Sequence, residues 1–383
     1  MRRHPHRWIL ITVLACRASM AAAPATRPIP FAGWEEADLR RGVMHELKRF
    51  AEAFRDRPAA ADAVRLVAED EKSTDPHGWM GGTLDWVDRA LKANPPSKEN
   101  DRVRRAILLI ADYPLHVDRT YIRGLPKYGP EWAEAVGRYF QRVVGPAITQ
   151  IATAQVEKGL DVWKVYNMGF VVKSKNHCIG FDIHPGSVQN SYALSDEQQK
   201  VLIDRLEVLF ITHWHLDHLN ERFVRRMLNA GKTVVLPTPV RTDLRQDTVV
   251  RLYELSDHPT DIGGIKVYTF PGWQGRDTPV GVYAVNLDGY WVSHNGDNRR
   301  TEIYAEIPKR CTVDVLLANC WSGFAPYATA TKPKLMITGH ENELAHRADS
   351  RRPFSEMFGI LDEMENPPNH RILQWGEHVH WEP

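Results

Sequence analysis

Four cysteines in 383 residues, Cys16, Cys178, Cys311 and Cys320, are too few and too dispersed for a disulfide framework. Cys311 and Cys320 are close enough in sequence to pair in an oxidising compartment. The alternative is that Cys178, Cys311 and Cys320 are small buried apolar side chains, and none stands in a setting that marks a nucleophile. An excess of charge is missing as well, since 49 Lys and Arg face 48 Asp and Glu for a formal charge of +1. No global field therefore advertises a nucleic acid or an acidic membrane as partner. The longest apolar run is much too short to span a bilayer, and the chain has no internal repeat and no low-complexity tract. What is present, 43% hydrophobic and 25% charged residues, is ordinary for a globular chain long enough for two domains.

The N-terminus has the layout of an export signal over residues 1–23: basic "MRRHPHR", apolar "WILITVLA", then small residues with Ala21-Ala22-Ala23 as a cleavage site. Val13-Leu14-Ala15-Cys16 also resembles a bacterial lipobox, in which Cys16 would be lipidated. The expected location is therefore exported, periplasmic or lipid-anchored, with membrane contact only through that anchor.

Residues 24–160 read as a helical region. Apolar residues recur at three- and four-residue spacing in "EEADLRRGVMHELKRFAEAFRD", "AADAVRLVAEDE", "TLDWVDRALKA", "DRVRRAILLIADY" and the long "GPEWAEAVGRYFQRVVGPAITQIATAQVEKG". The breakers "STDPHGWMGG", "NPPSKEN" and "RGLPKYGP" separate them. From residue 161 to 383, β-branched runs bounded by Gly, Asn and Asp alternate with helices, which argues an α/β architecture.

Chemistry concentrates in this second part. "ITHWHLDHLN", residues 211–220, puts His213, His215, Asp217 and His218 into six consecutive positions. Such a pattern suits neither an amphipathic helix nor a buried strand, because a core histidine must find a polar partner. Imidazole and carboxylate are instead the usual ligands of zinc and related divalent metals. Further polar groups follow strand-like runs: Asp297 after "YWVSHNG" and His340 after "PKLMITG". Polar residues at several strand ends are how a sheet edge assembles a site from distant segments.

These motifs resemble the metallo-β-lactamase superfamily. "THWHLDH" is similar to its T-H-x-H-x-D-H signature, "CIGFDI" to the early strand ending in a bracing aspartate, here Asp182, "HNGDN" to the turn carrying the bridging carboxylate, here Asp297, and "KPKLMITGH" to the strand delivering the last histidine, here His340. The resemblance covers well over half of the chain. It implies a four-layer αββα sandwich preceded by the helical region, with the site at one edge. It also implies His213 and His215 on a first metal, Asp217, His218 and His340 on a second, and Asp297 touching both. The expected cofactor is one or two zinc ions, with manganese or iron as alternatives.

The family's remaining histidine, after the strand that here reads "IKVYTF", is missing. This chain has "PGWQGRD", with Trp273 and Gln274 at that place. Three outcomes follow: Gln274 or Asp277 completes a modified first site, a histidine such as His294, His346 or His258 folds in, or the first site is weak or empty. Asn167 and Asn298 are either pocket residues or turn formers, and His378 and His380 alternate as on a structural terminal strand. In the implied reaction a metal-activated water attacks an ester, lactone or phosphodiester of a small molecule, and Asp217 orients the water and moves its proton. The alternative is a degenerate fold that binds a ligand or partner without turnover. The segment "HVDRTYIRGLPKYGPEWAEAVGRYF" is read either as a lid over the metal edge or as a scaffold or dimer surface, which leaves a homo-oligomer open.

Overall fold

A computed structural model describes residues 36–115, 130–187, 192–237, 249–275, 277–344 and 353–383. The export signal with Cys16, most of the candidate lid segment and His346 lie outside the described residues. Among the described residues, no helix is long and apolar enough to cross a membrane.

Five helices come first: α1 (Glu36–Ala53), α2 (Pro58–Lys72), α3 (Gly78–Lys92), α4 (Asp101–Asp112) and α5 (Pro130–Thr153). Each buries the apolar stripe its spacing announces, for example Val103, Ile107, Leu108 and Ala111 on α4. Two boundaries differ from the sequence expectation. The sequence places "GWMGG" within the breaker "STDPHGWMGG", yet α3 starts at Gly78 and runs through Gly81 and Gly82. A Cβ at Gly82 would lie 2.9 Å from Leu66 Cδ1, so α2 packs where a side chain would stand, and packing overrides the low helix propensity of glycine. At the other end, α5 stops at Thr153 instead of continuing towards Gly159. Gly159 adopts φ +76° against the Trp381 carbonyl, which turns the chain into the first strand.

After α5 come β1 (Leu160–Tyr166), β2 (Gly169–Lys173), β3 (Cys178–Phe181), a short ribbon of β4 (Gly186–Ser187) and β5 (Tyr192–Ala193), α6 (Asp196–Arg205), β6 (Val208–Phe210), α7 (Glu221–Asn229), β7 (Thr233–Leu236) and β8 (Val249–Arg251). Then follow β9 (Thr260–Ile262), β10 (Ile265–Gln274), β11 (Thr278–Leu287), β12 (Tyr290–His294), a 3-10 turn at Thr301–Glu306, β13 (Val315–Asn319), α8 (Phe324–Thr331), β14 (Leu335–Gly339), α9 (Phe354–Glu363), β15 (His370–Ile372) and β16 (His378–Trp381).

The described strands make two seven-stranded mixed sheets, in the orders β16-β1-β2-β3-β6-β7-β8 and β15-β14-β13-β12-β11-β10-β9. One apolar layer joins their inner faces: Val162, Phe170, Val172, Ile179 and Phe210 of the first sheet with Val285, Val292, Val315, Leu317 and Ile337 of the second. Residues of opposite parity, such as Trp163, Val165, Leu209, Ala284, Leu316 and Met336, belong to the outer layers with the helices. The result is a four-layer αββα sandwich, the architecture that the sequence resemblance implies.

The helical region packs against this sandwich. Phe140 on α5 lies edge-on to Tyr166 and Tyr192, at 5.8 Å from each, and 6.2 Å from Trp375. Arg104 on α4 reaches Glu377 at 2.5 Å and the Ile372 carbonyl at 3.0 Å. Cys178, Cys311 and Cys320 are buried, and Cys311 and Cys320 form no disulfide with each other. Burial pushes the Cys178 and Cys311 thiols up to about 12, so neither is a thiolate at neutral pH. Phe140→Ala should destabilise the chain by about 3–5 kcal/mol, by the usual cost of a buried Phe truncation. Urea unfolding followed by tryptophan fluorescence checks this, and a change below about 1 kcal/mol would show that the helical region is not packed on the sandwich as described.

Candidate metal centre

The site forms where neighbouring strands end. β3 leads into Asp182, and β6, parallel to β3, leads into Thr212 to His218. In the other sheet β12 leads into Asp297, and β14 into His340, with the parallel β13 between them. The two loops nearly touch: a Cβ on Gly296, at φ +48°, would sit 2.4 Å from Thr212 Oγ1. Only glycine tolerates both that backbone angle and that approach.

Two groups of side chains converge there. Asp217, His218, Asp297 and His340 offer atoms all within 4.8 Å of one another, and His213, His215 and Asp297 form a second such group. All six residues singled out as metal ligands are thus brought together, with Asp297 common to both groups. His213, Asp217, His218, Asp297 and His340 are buried, while His215 is half-buried. Trp214 and Leu216, between the ligands in sequence, are 47% and 79% exposed.

Hydrogen bonding sets the tautomers. The buried Asp182 carboxylate accepts from Thr212 N at 2.7 Å, Thr212 Oγ1 at 2.6 Å and His218 Nδ1 at 2.7 Å. His218 therefore carries a proton on Nδ1. Thr212 Oγ1 gives its single proton to Asp182, so at 3.0 Å from His213 Nδ1 it must accept, which puts a proton on that nitrogen too. Both rings then turn Nε2 towards the cluster, the orientation a metal-binding imidazole requires.

Those Nε2 atoms fit a cation. Buried His213 Nε2 has no hydrogen-bond partner and lies 3.8 Å from Asp297 Oδ2. His218 Nε2 makes no well-formed hydrogen bond either, yet stands 3.1 Å from both Asp217 Oδ2 and Asp297 Oδ1. Lone pairs facing carboxylate oxygens repel unless positive charge lies between them. A proton or a metal ion meets that need, and the histidine and carboxylate donor set is that of zinc and iron sites.

The titration behaviour agrees. Burial, reinforced by the His218 charge, drives His213 down to about 3, so it stays neutral and available. Burial lowers His218 as well, but the Asp217, Asp297 and Asp182 carboxylates outweigh it and hold His218 well above its ordinary value, so the cluster favours positive charge at Nε2, carried by a proton or by a cation in its place. Asp217 and Asp297 feel burial first, which raises them, but the histidines reverse this and hold both ionised far below the usual carboxylate range.

The strand that lacks the expected histidine ends at the site all the same. Gln274 Nε2 donates to Asp297 Oδ2 at 2.8 Å, and its buried Oε1 has no hydrogen-bond partner. Of the candidates among the described residues, Gln274 is the one brought to Asp297, on the oxygen that faces His213 in the second group. Asp277 is exposed. His294 is a satisfied strand histidine: Nε2 faces the Met168 carbonyl at 3.1 Å, Nδ1 accepts from Gly296 N at 3.2 Å, and the ring stacks on Phe181. His258 sits on an exposed loop after β8.

Both asparagines prove to be turn residues with contacts to the site. Asn167, at φ +55°, donates from Nδ2 to Asp217 O and Oδ2 at 3.2 and 3.3 Å. Asn298 Oδ1 accepts from Trp273 N at 3.0 Å and Arg300 N at 3.1 Å, tying the Gln274 strand to the Asp297 turn. His378 and His380 both face Asp161 on the paired strand β1, at 3.0 and 2.7 Å, far in topology from the cluster.

Sequence reasoning missed Asn319, whose Nδ2 donates to Asp297 Oδ1 at 2.7 Å. The signal was available, since Asn319 is a polar residue closing the apolar strand "VLLAN", the position type that also yields Asp182 and His340.

No family model and no curated protein matches the chain. Solved structures do, with 102 matching chains. One is a metallo hydrolase of the hyperthermophilic archaeon Ignicoccus hospitalis, 16% identical, with TM-score 0.47, covering 58% of this chain and 98% of that one. Another is the metallo-β-lactamase fold protein YhfI of Bacillus subtilis, 10% identical, TM-score 0.43, covering 59% and 100%. A third is an isothiocyanate hydrolase from Delia radicum gut bacteria, 13% identical, TM-score 0.44, covering 58% and 99%.

An amide oxygen is a weaker zinc ligand than imidazole, so two zinc equivalents should bind unequally, the weaker beside Gln274. Gln274→His should tighten that weaker equivalent by at least about tenfold and leave the other unchanged, by analogy with the effect of outer-shell partners. Competition with a chromogenic chelator reads both affinities, and identical titration curves for the two proteins would remove Gln274 from the site.

Proposed function

We propose that this protein is an exported metal-dependent hydrolase that turns a metal-activated water on an ester, lactone or phosphodiester of a small molecule. The observation that carries the reading is the buried cluster in which His218 Nε2 stands 3.1 Å from both Asp217 Oδ2 and Asp297 Oδ1 and His213 Nε2 stands 3.8 Å from Asp297 Oδ2, an arrangement that a divalent cation would satisfy.

Asp217, His218, Asp297 and His340 would hold one ion, and His213, His215 and Asp297 the other, with Gln274 beside the second group. Zinc is the proposed metal, with manganese and iron as alternatives. Bound there, such ions supply Lewis acidity and acidify a water from a pKa of roughly 15.7 to about 7, so no serine or cysteine nucleophile is needed. The chain's own groups supply the rest. Asp182 and Thr212 keep protons on Nδ1 of His218 and His213, so neither ring can turn its lone pair away from the site. Asn167 holds the Asp217 carboxylate in place. Asp217 stays ionised, and its carboxylate would orient the attacking water and take up its proton for return to the leaving oxygen. Trp214 and Leu216 give the rim an apolar surface for the non-reacting part of a substrate. Near-neutral charge supports a small molecule over a nucleic acid.

Gln274 in place of a histidine favours a second reading, a chain that retains metal and ligand binding but no turnover. One experiment separates them. Zinc-loaded mature protein, beginning after residue 23, is assayed on an aryl ester, a lactone panel and bis(4-nitrophenyl) phosphate. The hydrolase reading expects turnover that a chelator abolishes and zinc restores, and a fall in kcat of about 10²–10⁴-fold in Asp217→Asn, the usual worth of a positioned acid-base group. Stable metal content without turnover on any of the three substrate classes would favour the binding reading. Export is tested by cell fractionation of the full chain with a C-terminal tag: the tagged protein is expected outside the cytoplasm and shortened at its N-terminus, and full-length cytoplasmic protein would contradict it.

A further inference from the structure

His340 is delivered by a turn, residues 340–344, whose backbone is unfavourable by itself. His340 has φ +75° and Asn342 φ +53°, both in the left-handed region that non-glycine residues rarely occupy. Such angles persist only where the surroundings over-determine them.

Here each successive residue is fastened to a different part of the molecule. His340 N donates to the Asn167 carbonyl at 3.1 Å. The fully buried Glu341 pairs with Lys164, which is also fully buried and donates to the Leu373 carbonyl at 3.0 Å. Leu344 N donates to Tyr166 Oη at 2.8 Å. Those three anchors belong to the sandwich itself.

The anchor of Asn342 does not. Its Nδ2 donates at 2.9 Å to Oδ1 of Asp112, the last residue of α4 in the helical region. The same carboxylate accepts from Phe354 N at 2.8 Å and from Ser355 N at 3.0 Å. These are the first amides of α9, a helix whose own N-cap, Pro353, provides no side-chain acceptor. Asp112 therefore caps α9 from another element with both oxygens and, through Oδ1, also holds the turn that carries His340. One buried carboxylate thus ties both Asn342 and the start of α9 to the end of α4.

We infer that Asp112 is a positioning residue for His340, and that the helical region serves the metal centre by holding its last ligand in register through this carboxylate. The inference rests on the reading of His340 as a metal ligand.

The test compares full-length mature protein with Asp112→Asn, Asn342→Asp and Arg104→Ala. Asp112→Asn replaces one acceptor oxygen with a donor. Asn342→Asp keeps a residue type that tolerates positive φ but turns the donor into a second carboxylate, leaving the α9 cap intact. Arg104→Ala cuts a different tie between the helical region and the sandwich, at Glu377 and Ile372. Zinc affinity is measured by competition with a chromogenic chelator, and exchange of the backbone amides of residues 340–344 is measured on metal-free protein.

In both Asp112→Asn and Asn342→Asp, the tighter zinc equivalent is expected to weaken about 10–100-fold, the range seen when a partner orienting a ligand is lost. Amides 340–344 should exchange faster in both. Arg104→Ala should lower the thermal midpoint yet leave both readouts unchanged. Wild-type affinity and exchange in Asn342→Asp would overturn the inference, and that variant decides alone if Asp112→Asn does not fold. Equal weakening in Arg104→Ala would overturn it too, since the effect would then be general loosening. If wild-type protein binds no zinc, the ligand reading of His340 fails, and the exchange comparison still decides whether Asp112 holds the turn.

Discussion

Everything in the site depends on one fully buried carboxylate, Asp182, which accepts three hydrogen bonds from the loop that carries the histidines. A charged group at that depth costs several kcal/mol to desolvate unless it is fully bonded. Once bonded to Thr212 and His218, it dictates which nitrogen of His218 is protonated and, through the Thr212 hydroxyl, which nitrogen of His213. Two residues that never touch the proposed ions thus decide where the lone pairs point. That order of causes runs from a polar residue at the end of β3, through hydrogen-bond donors and acceptors, to a cluster fit for divalent cations.

The two sheets make this possible by their edges. In each, parallel neighbours end together, so β3 and β6 deliver Asp182 and the histidine loop while β12 and β14 deliver Asp297 and His340. The apolar layer between the sheets holds the two edges at a fixed separation. Gly296 closes the gap, because its lack of a side chain lets the Asp297 turn come against Thr212. The carboxylate of Asp297 is then shared between both ligand groups, held by Asn319 on one oxygen and Gln274 on the other.

Much of this was legible in the sequence because the motif residues act locally. His213 to His218 sit on one loop, and Asp297 and His340 each close a recognisable apolar strand, so a strand-end reading found them together, whereas Asp182 came only with the family resemblance. Helix α4 was legible from its apolar spacing for the same reason. What sequence could not give were contacts made across distance. Asp112 meets Asn342 from 230 residues away, and nothing in "LLIADY" marks that aspartate as more than a helix-end residue. Gly82 looked like a breaker because its packing partner, Leu66, lies on another helix. Gln274 could be named only as one of several replacements for the missing histidine, since the choice between it and Asp277 rests on which side chain the β10–β11 hairpin turns towards Asp297, and His294, at the end of β12, is occupied by contacts with Met168, Gly296 and Phe181.

The central claim is that the Asp182 hydrogen bonds aim imidazole lone pairs at bound cations, and crystals grown with zinc test it most directly. Anomalous diffraction collected above and below the zinc absorption edge should place a peak among His218 Nε2, His340 Nε2, Asp217 and Asp297, with His218 Nδ1 still on Asp182. A weaker peak is expected between His213, His215 and Asp297. No anomalous peak in the cluster, with His218 Nε2 instead bonded to protein or water, would contradict the account.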